Sequence, residues 1–397
     1  MNYSGIQRAR LAAFRHRGAQ VRRIVQGLPG LLRRPVARRA GESPRIRFVY
    51  DDIGVPARYR VDHQIEQARI AGFAVHDAPL AGPGNPYDLA ACDLLYLYRL
   101  PLTLRTWPLI LAARRMRIPI VFDTDDLVWD LAERQYSYLD AHHSPQVVAG
   151  ILRTIRRTYA IMRHANALVF STPYLAQLAA RSFRQPGYVN ANALSRAMVA
   201  SAEQVYAQRR ARQHAPVTII GYFSGTPRVH EEDLASIVPA LCSTLDRDTT
   251  VMLRIYGGVQ LSGALAGQRY EARIEQRPLV SWNELSRHIA EVDITIAPLV
   301  DNPQRRAKSA VKYMEAALVA VPTIATRLDP YQAAIEQGVN GLLASTHDEW
   351  VDSLTRLIHV RELRQQIGEA ARADVLAKHT TAARAANFAA IITQVVA

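Results

Sequence analysis

VDITIAPL (292–299) and NPQRRAKSAVKYMEAALVAVPTIAT (302–326) place a short apolar run, a helix-period segment and a second apolar run in immediate succession. Strands interleaved with helices imply a parallel sheet, because a parallel pair needs a crossover connection that a helix supplies. The same alternation extends outward on both sides. VTIIGYFSG (217–225), TVMLRIYGG (250–258) and RPLVSW (277–282) read as preceding strands, and GLLAS (341–345) as a following one. In the first half, RIRFVY (45–50), FAVHD (73–77), DLLYLY (93–98), IPIVF (118–122) and ALVFST (167–172) alternate with helical stretches. The sequence therefore predicts an α/β protein of two similar halves, each a parallel sheet covered by helices.

Between the halves, SRAMVASAEQVYAQRRARQHAP (195–216) carries no strand signal and ends in a basic stretch closed by proline. The expected division is a basic tail over 1–44, a first domain over 45–200, a linker over 201–216, a second domain over 217–380 and a C-terminal helix over 381–397. At 397 residues the chain is long enough for two cores. A hydrophobic fraction of 49% with 21% charged residues excludes a largely disordered chain.

The net charge of +14 is concentrated at one end. Ten arginines, from Arg8 to Arg39, precede the first acidic residue, Glu42, and without them the excess falls to +4. Leu11, Phe14, Val21, Val25 and Leu28 repeat at helical steps among those arginines, so residues 1–40 are expected to contact an anionic membrane surface. A solvated tail is the plainer alternative. Nucleic acid is not expected as a partner, since no aromatic platform accompanies the arginines. Cys92 and Cys242, 150 residues apart, suggest neither a disulfide framework nor a structural metal. With no apolar run of transmembrane length and no secretory signal pattern, a cytoplasmic protein is expected, peripheral on the inner face of the membrane.

In parallel sheets, ligands gather at the carboxyl ends of the strands. Four such places carry chemistry. With Ser309 as helix cap, Lys308, Lys312 and Glu315 fall at i, i+4 and i+7 on one face, suited to a diphosphate and to sugar hydroxyls. An ordinary Lys312–Glu315 surface pair is the plainer reading. After the strand at 217–225, Ser224, Gly225 and Thr226 form a turn that lets backbone approach a ligand, and Arg228 and His230 supply positive charge for phosphate. FDTDDLVWD (122–130) gathers Asp123, Asp125 and Asp126, of which Asp125 and Asp126 are candidates for orienting a sugar hydroxyl or accepting a proton; helix capping is the alternative. The Mg²⁺ that an Asp-x-Asp spacing invites is not expected, since helix ends and basic groups can hold the phosphates instead. Gly54, Tyr59 and Arg60 after the first strand, and Arg99 after the third, are candidates for acceptor binding; packing and surface salt bridges explain them equally well. Trp282 either borders a nucleobase or belongs to the core, and core is the expectation.

KSAVKYMEAALVAVPTIAT, followed by YQAAIEQGVNGLLASTHDEWVDSL (331–354), resembles the C-terminal signature of the family 4 (group 1) GT-B glycosyltransferases, in particular of a polysaccharide-assembly branch. Weaker similarity extends over 45–395. The resemblance implies two Rossmann-like domains facing a cleft. It further implies a UDP- or GDP-linked sugar donor, no metal and no other cofactor, and retention of anomeric configuration. The acceptor would be a glycan, polysaccharide or lipid-linked sugar. Carried over by position, Glu315 matches the second glutamate of the Glu-x7-Glu motif, which contacts the nucleotide ribose. The first falls on Ala307, so the donor-sugar contact passes to Lys308 or Ser309. That departure keeps a second reading open, a catalytically idle subunit that binds nucleotide or polysaccharide. A nucleotide-sugar epimerase is disfavoured because no further set of acidic residues and histidines can be assembled.

Overall fold

The computed structural model describes residues 36, 41–51, 57–80, 85–130, 144–211, 216–225 and 230–397. They fall into two compact units. Unit one comprises the described residues up to Phe170, with Ala176–Val189 and Ala386–Ala397; unit two comprises Ser171–Leu175 and Asn190–Ala385.

Unit one is a six-stranded sheet of β1 (Arg45–Tyr50), β2 (Ala74–Pro79), β3 (Leu94–Tyr98), β4 (Ile120–Thr124), β5 (Ala167–Phe170) and β6 (Gly187–Val189). The spatial order is β2-β1-β3-β4-β5-β6 and every pairing is parallel. Strands β3, β4 and β5 are buried along their whole length, which explains why they read as unbroken apolar runs. A π-helical turn, Arg58–Asp62, leads into α1 (His63–Ile70); α2 (Trp107–Arg115) and α3 (Pro145–Met162) follow. One core joins Phe48, Val61, Tyr96 and Val121 to Phe388, Ile391 and Ile392 from the end of the chain.

The chain passes through α4 (Pro173–Ala180) and β6 before entering α5 (Arg196–Ala211). The stretch expected as a linker is thus helical over 201–211, and Arg209 fastens it to unit two by donating to the carbonyls of Ala290 and Val292, each at 2.6 Å.

Unit two repeats the plan with β7 (Thr218–Phe223), β8 (Val251–Tyr256), β9 (Ile274–Arg277), β10 (Ile294–Ala297), β11 (Thr323–Thr326) and β12 (Leu342–Ala344), again all parallel, in the order β12-β11-β10-β7-β8-β9. Its helices include α6 (Glu231–Ala235), α7 (Val238–Arg247), α8 (Trp282–Ala290), α9 (Pro303–Arg306), α10 (Val311–Ala317), α11 (Asp329–Gln332), α12 (His347–His359) and α13 (Arg361–Lys378); α14 (Thr381–Val396) ends the chain. Helix α12 starts at a reciprocal cap: Thr346 accepts from the Glu349 amide, and the Glu349 carboxylate accepts from the Thr346 and Ser345 amides. Its Trp350, Leu354 and Leu357 enter the core with Ile220, Leu253 and Ile294.

The apolar run at 277–282 was expected as a strand, but β9 ends at Arg277. Pro278 has no amide to donate to a ladder, and Trp282 opens α8. Trp282 is 44% exposed, so the expectation that it lies in the core is corrected.

Candidate functional site

The strand order of unit two reverses between β7 and β10, and such a switch point opens a crevice at the carboxyl ends of the two strands. Ser224 and Gly225 leave β7 there, and the segment after β10 leads to α9 and α10. Ser224 is fixed by its amide donating to the Tyr256 carbonyl (3.1 Å), while Gly257, at φ +102, packs so closely that a Cβ on it would lie 2.0 Å from the Ser224 oxygen. A Cβ on Gly225 would meet nothing within 4 Å. One glycine is therefore required by packing, and the other faces open space.

Asp233, fully buried on α6, organises the next layer. One carboxylate oxygen accepts from the Val300 amide and from Arg305 Nε, both at 3.0 Å; the other is 2.7 Å from His230 Nδ1. Burial raises the carboxyl pKa, but the bonds from His230, Arg305 and Val300 outweigh it and hold Asp233 below its ordinary range. Burial pushes His230 down to about 4 despite the Asp233 bond. His230 is thus neutral at pH 7, with its proton on Nδ1 toward Asp233. Its burial and its bond to Asp233 weigh against the expectation that His230 brings positive charge to a phosphate. Arg305, which the sequence reading missed, is the cation paired with Asp233.

Lys312 projects from α10 with its Nζ 4.5 Å from the centroid of the Tyr222 ring. The ammonium is screened from solvent and has no hydrogen-bond partner among the described residues. Burial, reinforced by Arg305, lowers its pKa to about 8 against the opposing fields of Asp233 and Glu315. A buried ammonium without acceptors is costly, and phosphate oxygens would supply them. Glu315 lies one turn along α10, partly exposed.

Ser309 does not cap α10. Ala310 stands at that position without a side-chain bond, and the Ser309 hydroxyl instead accepts from Asn192 Nδ2 at 2.8 Å. Lys308 is partly exposed, and its amide donates to the Arg305 carbonyl at 3.1 Å. Ala307 is fully buried. Thr226 and Arg228 lie outside the described residues, as do Gly54 and, apart from Val36, residues 1–40.

In unit one, Arg99 follows β3 in a left-handed conformation, φ +47, unusual for a residue with a Cβ. Its guanidinium lies 3.4 Å from Asp125 Oδ1 and 3.6 Å from Asp126 Oδ2, and the Tyr98 hydroxyl donates to the same Asp125 oxygen at 2.9 Å. Asp125 and Asp126 remain partly exposed, with 15% and 27% of their side chains accessible. The Asp126 amide turns back onto Thr124 Oγ1, and no helix begins within the described residues that follow, up to Asp130.

Asp123 faces the other way, into the core. It accepts from Arg60 Nε (2.9 Å) and Nη2 (2.5 Å), from Gln64 Nε2 (2.9 Å) and from the Tyr96 hydroxyl (2.6 Å), and both charged side chains are wholly buried. Arg60 is therefore an internal ion-pair partner rather than an acceptor ligand. Tyr59, only 4% exposed, packs edge-on to His63 and is likewise committed to the interior.

Among the described residues no group of three or more His, Cys, Asp or Glu side chains gathers as a metal site, and no helix is long and apolar enough to cross a membrane. Cys92 and Cys242 are both free thiols, and burial pushes Cys92 up to about 12.

Residues 239–390 match the family model described as glycosyl transferase-like. None of the curated proteins compared matches the chain. Among solved structures, sucrose-phosphate synthase from Thermosynechococcus elongatus is similar over 89% of this chain and 99% of its own, at 14% identity and a TM-score of 0.60. The Anabaena protein HepE in complex with UDP-glucose covers 89% and 100%, at 13% identity and 0.59. A glycosyltransferase from Rickettsia africae covers 89% and 99%, at 13% identity and 0.61.

Proposed function

From a GT-B fold, we propose that this chain is a retaining, metal-independent glycosyltransferase. It moves a sugar from a UDP- or GDP-linked donor to a glycan, polysaccharide or lipid-linked acceptor, as a member of the family 4, polysaccharide-assembly type. The observation that carries the reading is the Lys312 ammonium, buried without an acceptor beside the β7–β10 switch point and in the electrostatic field of Glu315. The glycosyl transferase-like match over 239–390 and the UDP-glucose held by HepE support a nucleotide-sugar donor.

In this reading Lys312 and the amides around Ser224 and Gly225 bind the diphosphate, with Lys308, Ser309, Thr226 and Arg228 contributing donor contacts, and Glu315 accepts from the ribose hydroxyls. Neutral His230 offers Nε2 as a hydrogen-bond acceptor, while Asp233 fixes the ring. Asp125 and Asp126, steered by Arg99 and Tyr98, take hydroxyls of the reacting sugars in unit one. In a retaining front-face transfer the leaving diphosphate takes the proton of the incoming hydroxyl, so the protein's task is to stabilise charge that develops on that leaving group.

Calorimetric titration with UDP and GDP in the presence of a chelator tests the donor assignment. Binding is expected without divalent metal and should weaken in Glu315→Ala; metal-dependent binding, or affinity and turnover unaffected by that change, overturns it. Buried Ala307 favours the second reading, a nucleotide-binding subunit without catalysis. Tight UDP or GDP binding with no transfer across a broad donor and acceptor panel would select it.

A further inference from the structure

Large apolar side chains are exposed at few places among the described residues, and three of them line up on α2 and the turn that leads into it. Leu104 is 87% exposed, Trp107 36% and Leu111 48%. The Trp107 amide donates to the Thr103 carbonyl (2.9 Å), so the turn is already helical and 104, 107 and 111 fall at i, i+3 and i+7, one stripe. Arg114 and Arg115 continue that stripe, both exposed.

Helix α3 lies alongside. The Leu102 amide donates to the Arg157 carbonyl (3.0 Å), and the Trp107 and His164 rings are 5.2 Å apart. A cavity of about 810 Å³ is lined by Leu104, Trp107, Arg157 and His164 among others. The charge around the stripe is mainly positive: the cavity lining holds one carboxylate, Asp51, which lies 4.0 Å from the Arg105 guanidinium. Residues 94–122 contain five arginines and residues 144–202 seven, and neither stretch contains an aspartate or glutamate. Burial and the nearby Arg114 and Arg163 push His164 below its ordinary value, as a concentrated positive field requires. None of Arg114, Arg115, Arg153, Arg157 and Arg163 has a carboxylate partner among the described residues.

We propose that the α2–α3 face of unit one docks on an anionic lipid bilayer, with Leu104, Trp107 and Leu111 entering the interfacial region and Arg114, Arg115, Arg153 and Arg157 lying against lipid phosphates. Two well-exposed leucines and a partly exposed indole, on elements that also carry exposed arginines, match the headgroup boundary, where apolar insertion and attraction to anionic lipid add. Three apolar side chains are too small a patch for a stable protein interface. A nucleic acid backbone would use the arginines but leave the leucines without a role. The surface is distinct from the residues proposed for donor binding, and it does not depend on the reaction assigned above.

Co-sedimentation of the full chain with vesicles of phosphatidylcholine alone, and mixed with phosphatidylglycerol, tests the proposal. Binding is expected only to the anionic vesicles, falling with salt. Leu104→Glu with Leu111→Glu should lower partitioning at least tenfold, and Arg114→Ala with Arg115→Ala several-fold, while circular dichroism stays unchanged. Brominated lipids should quench the intact protein's tryptophan emission, and Trp107→Phe should abolish that quenching. If the apolar pair does not fold, the arginine pair and the quenching decide. Anionic-vesicle binding that survives the variants would assign it to another surface such as residues 1–40, and overturn the proposal. Binding to single-stranded nucleic acid or self-association in place of vesicle binding would also overturn it.

Discussion

Replacing Lys312 with methionine keeps an unbranched chain of similar length but removes the ammonium, which has no hydrogen-bond partner among the described residues. Its pKa falls from the ordinary 10.5 to about 8 in the folded protein. At about 1.4 kcal/mol per unit, keeping the charged form in place at pH 7 costs on the order of 3 kcal/mol. Methionine forfeits the attraction to the Tyr222 ring, worth about 0.5–2 kcal/mol. The net expectation is a gain in stability of roughly 1–3 kcal/mol, read by urea unfolding. The folded pKa lies below the unfolded one, so the penalty is fully present below pH 8 and is relieved as pH rises toward 10.5. Stability of the unmodified protein should therefore climb across that window, and the variant should lack the climb. Diphosphate binding should change in the opposite direction. Losing a charged hydrogen-bond donor costs roughly 1.5–3 kcal/mol, a tenfold or greater weakening by calorimetry with UDP. A variant that is less stable yet binds UDP unchanged would refute the reasoning, because the ammonium would then be serving the fold and not a ligand.

Arg60→Met strands the Asp123 carboxylate in the core and should cost about 3–5 kcal/mol by urea unfolding, with part of the loss recovered when Asp123→Leu is added. Gly225→Val should leave the thermal midpoint unchanged while abolishing UDP binding, since the space above Gly225 is open. Gly257→Ala should instead destabilise, because its Cβ collides with the Ser224 carbonyl oxygen. Asp125→Asn should lower kcat more than it raises the donor KM, and the unmodified enzyme's product should keep the donor's anomeric configuration by NMR coupling constants.

The fold was legible because buried parallel strands are written as continuous apolar runs and their crossovers as helix-period segments, as in the β10–α10–β11 unit. Where apolar residues serve neither, the reading slipped: Leu279 and Val280 look like strand, yet both follow Pro278 outside the ladder. Within the site, locality decided what could be seen. Lys312 and Glu315 sit on one short helix, so their spacing carries information. Arg60 reads as a surface charge because its partner, Asp123, is 63 residues away, and Arg305 goes unnoticed because Asp233 is 72 residues away. The neutral state of His230 has no sequence signal at all, since it follows from burial beside a carboxylate already bonded to Arg305.

Asp233 accepts from Val300, Arg305 and His230 and not from Lys312, so its field offsets only part of the cost of burying the ammonium. Among the described residues the Lys312 ammonium has no acceptor, and a diphosphate brings acceptors. Binding should then pull the Lys312 pKa back up from about 8, which couples diphosphate affinity to proton uptake. Below pH 8 the proton is already in place and UDP affinity should be nearly flat with respect to this group. Above it the ligand must recruit the proton, and affinity should fall by up to about tenfold per pH unit. Calorimetry between pH 7 and 9, in buffers of different ionisation enthalpy, reads both the affinity and the protons taken up. Lys312→Met should bind weakly across the range and take up no proton above pH 8. Equal proton uptake in the intact protein and the variant would assign the linkage to another group and remove Lys312 from the diphosphate site.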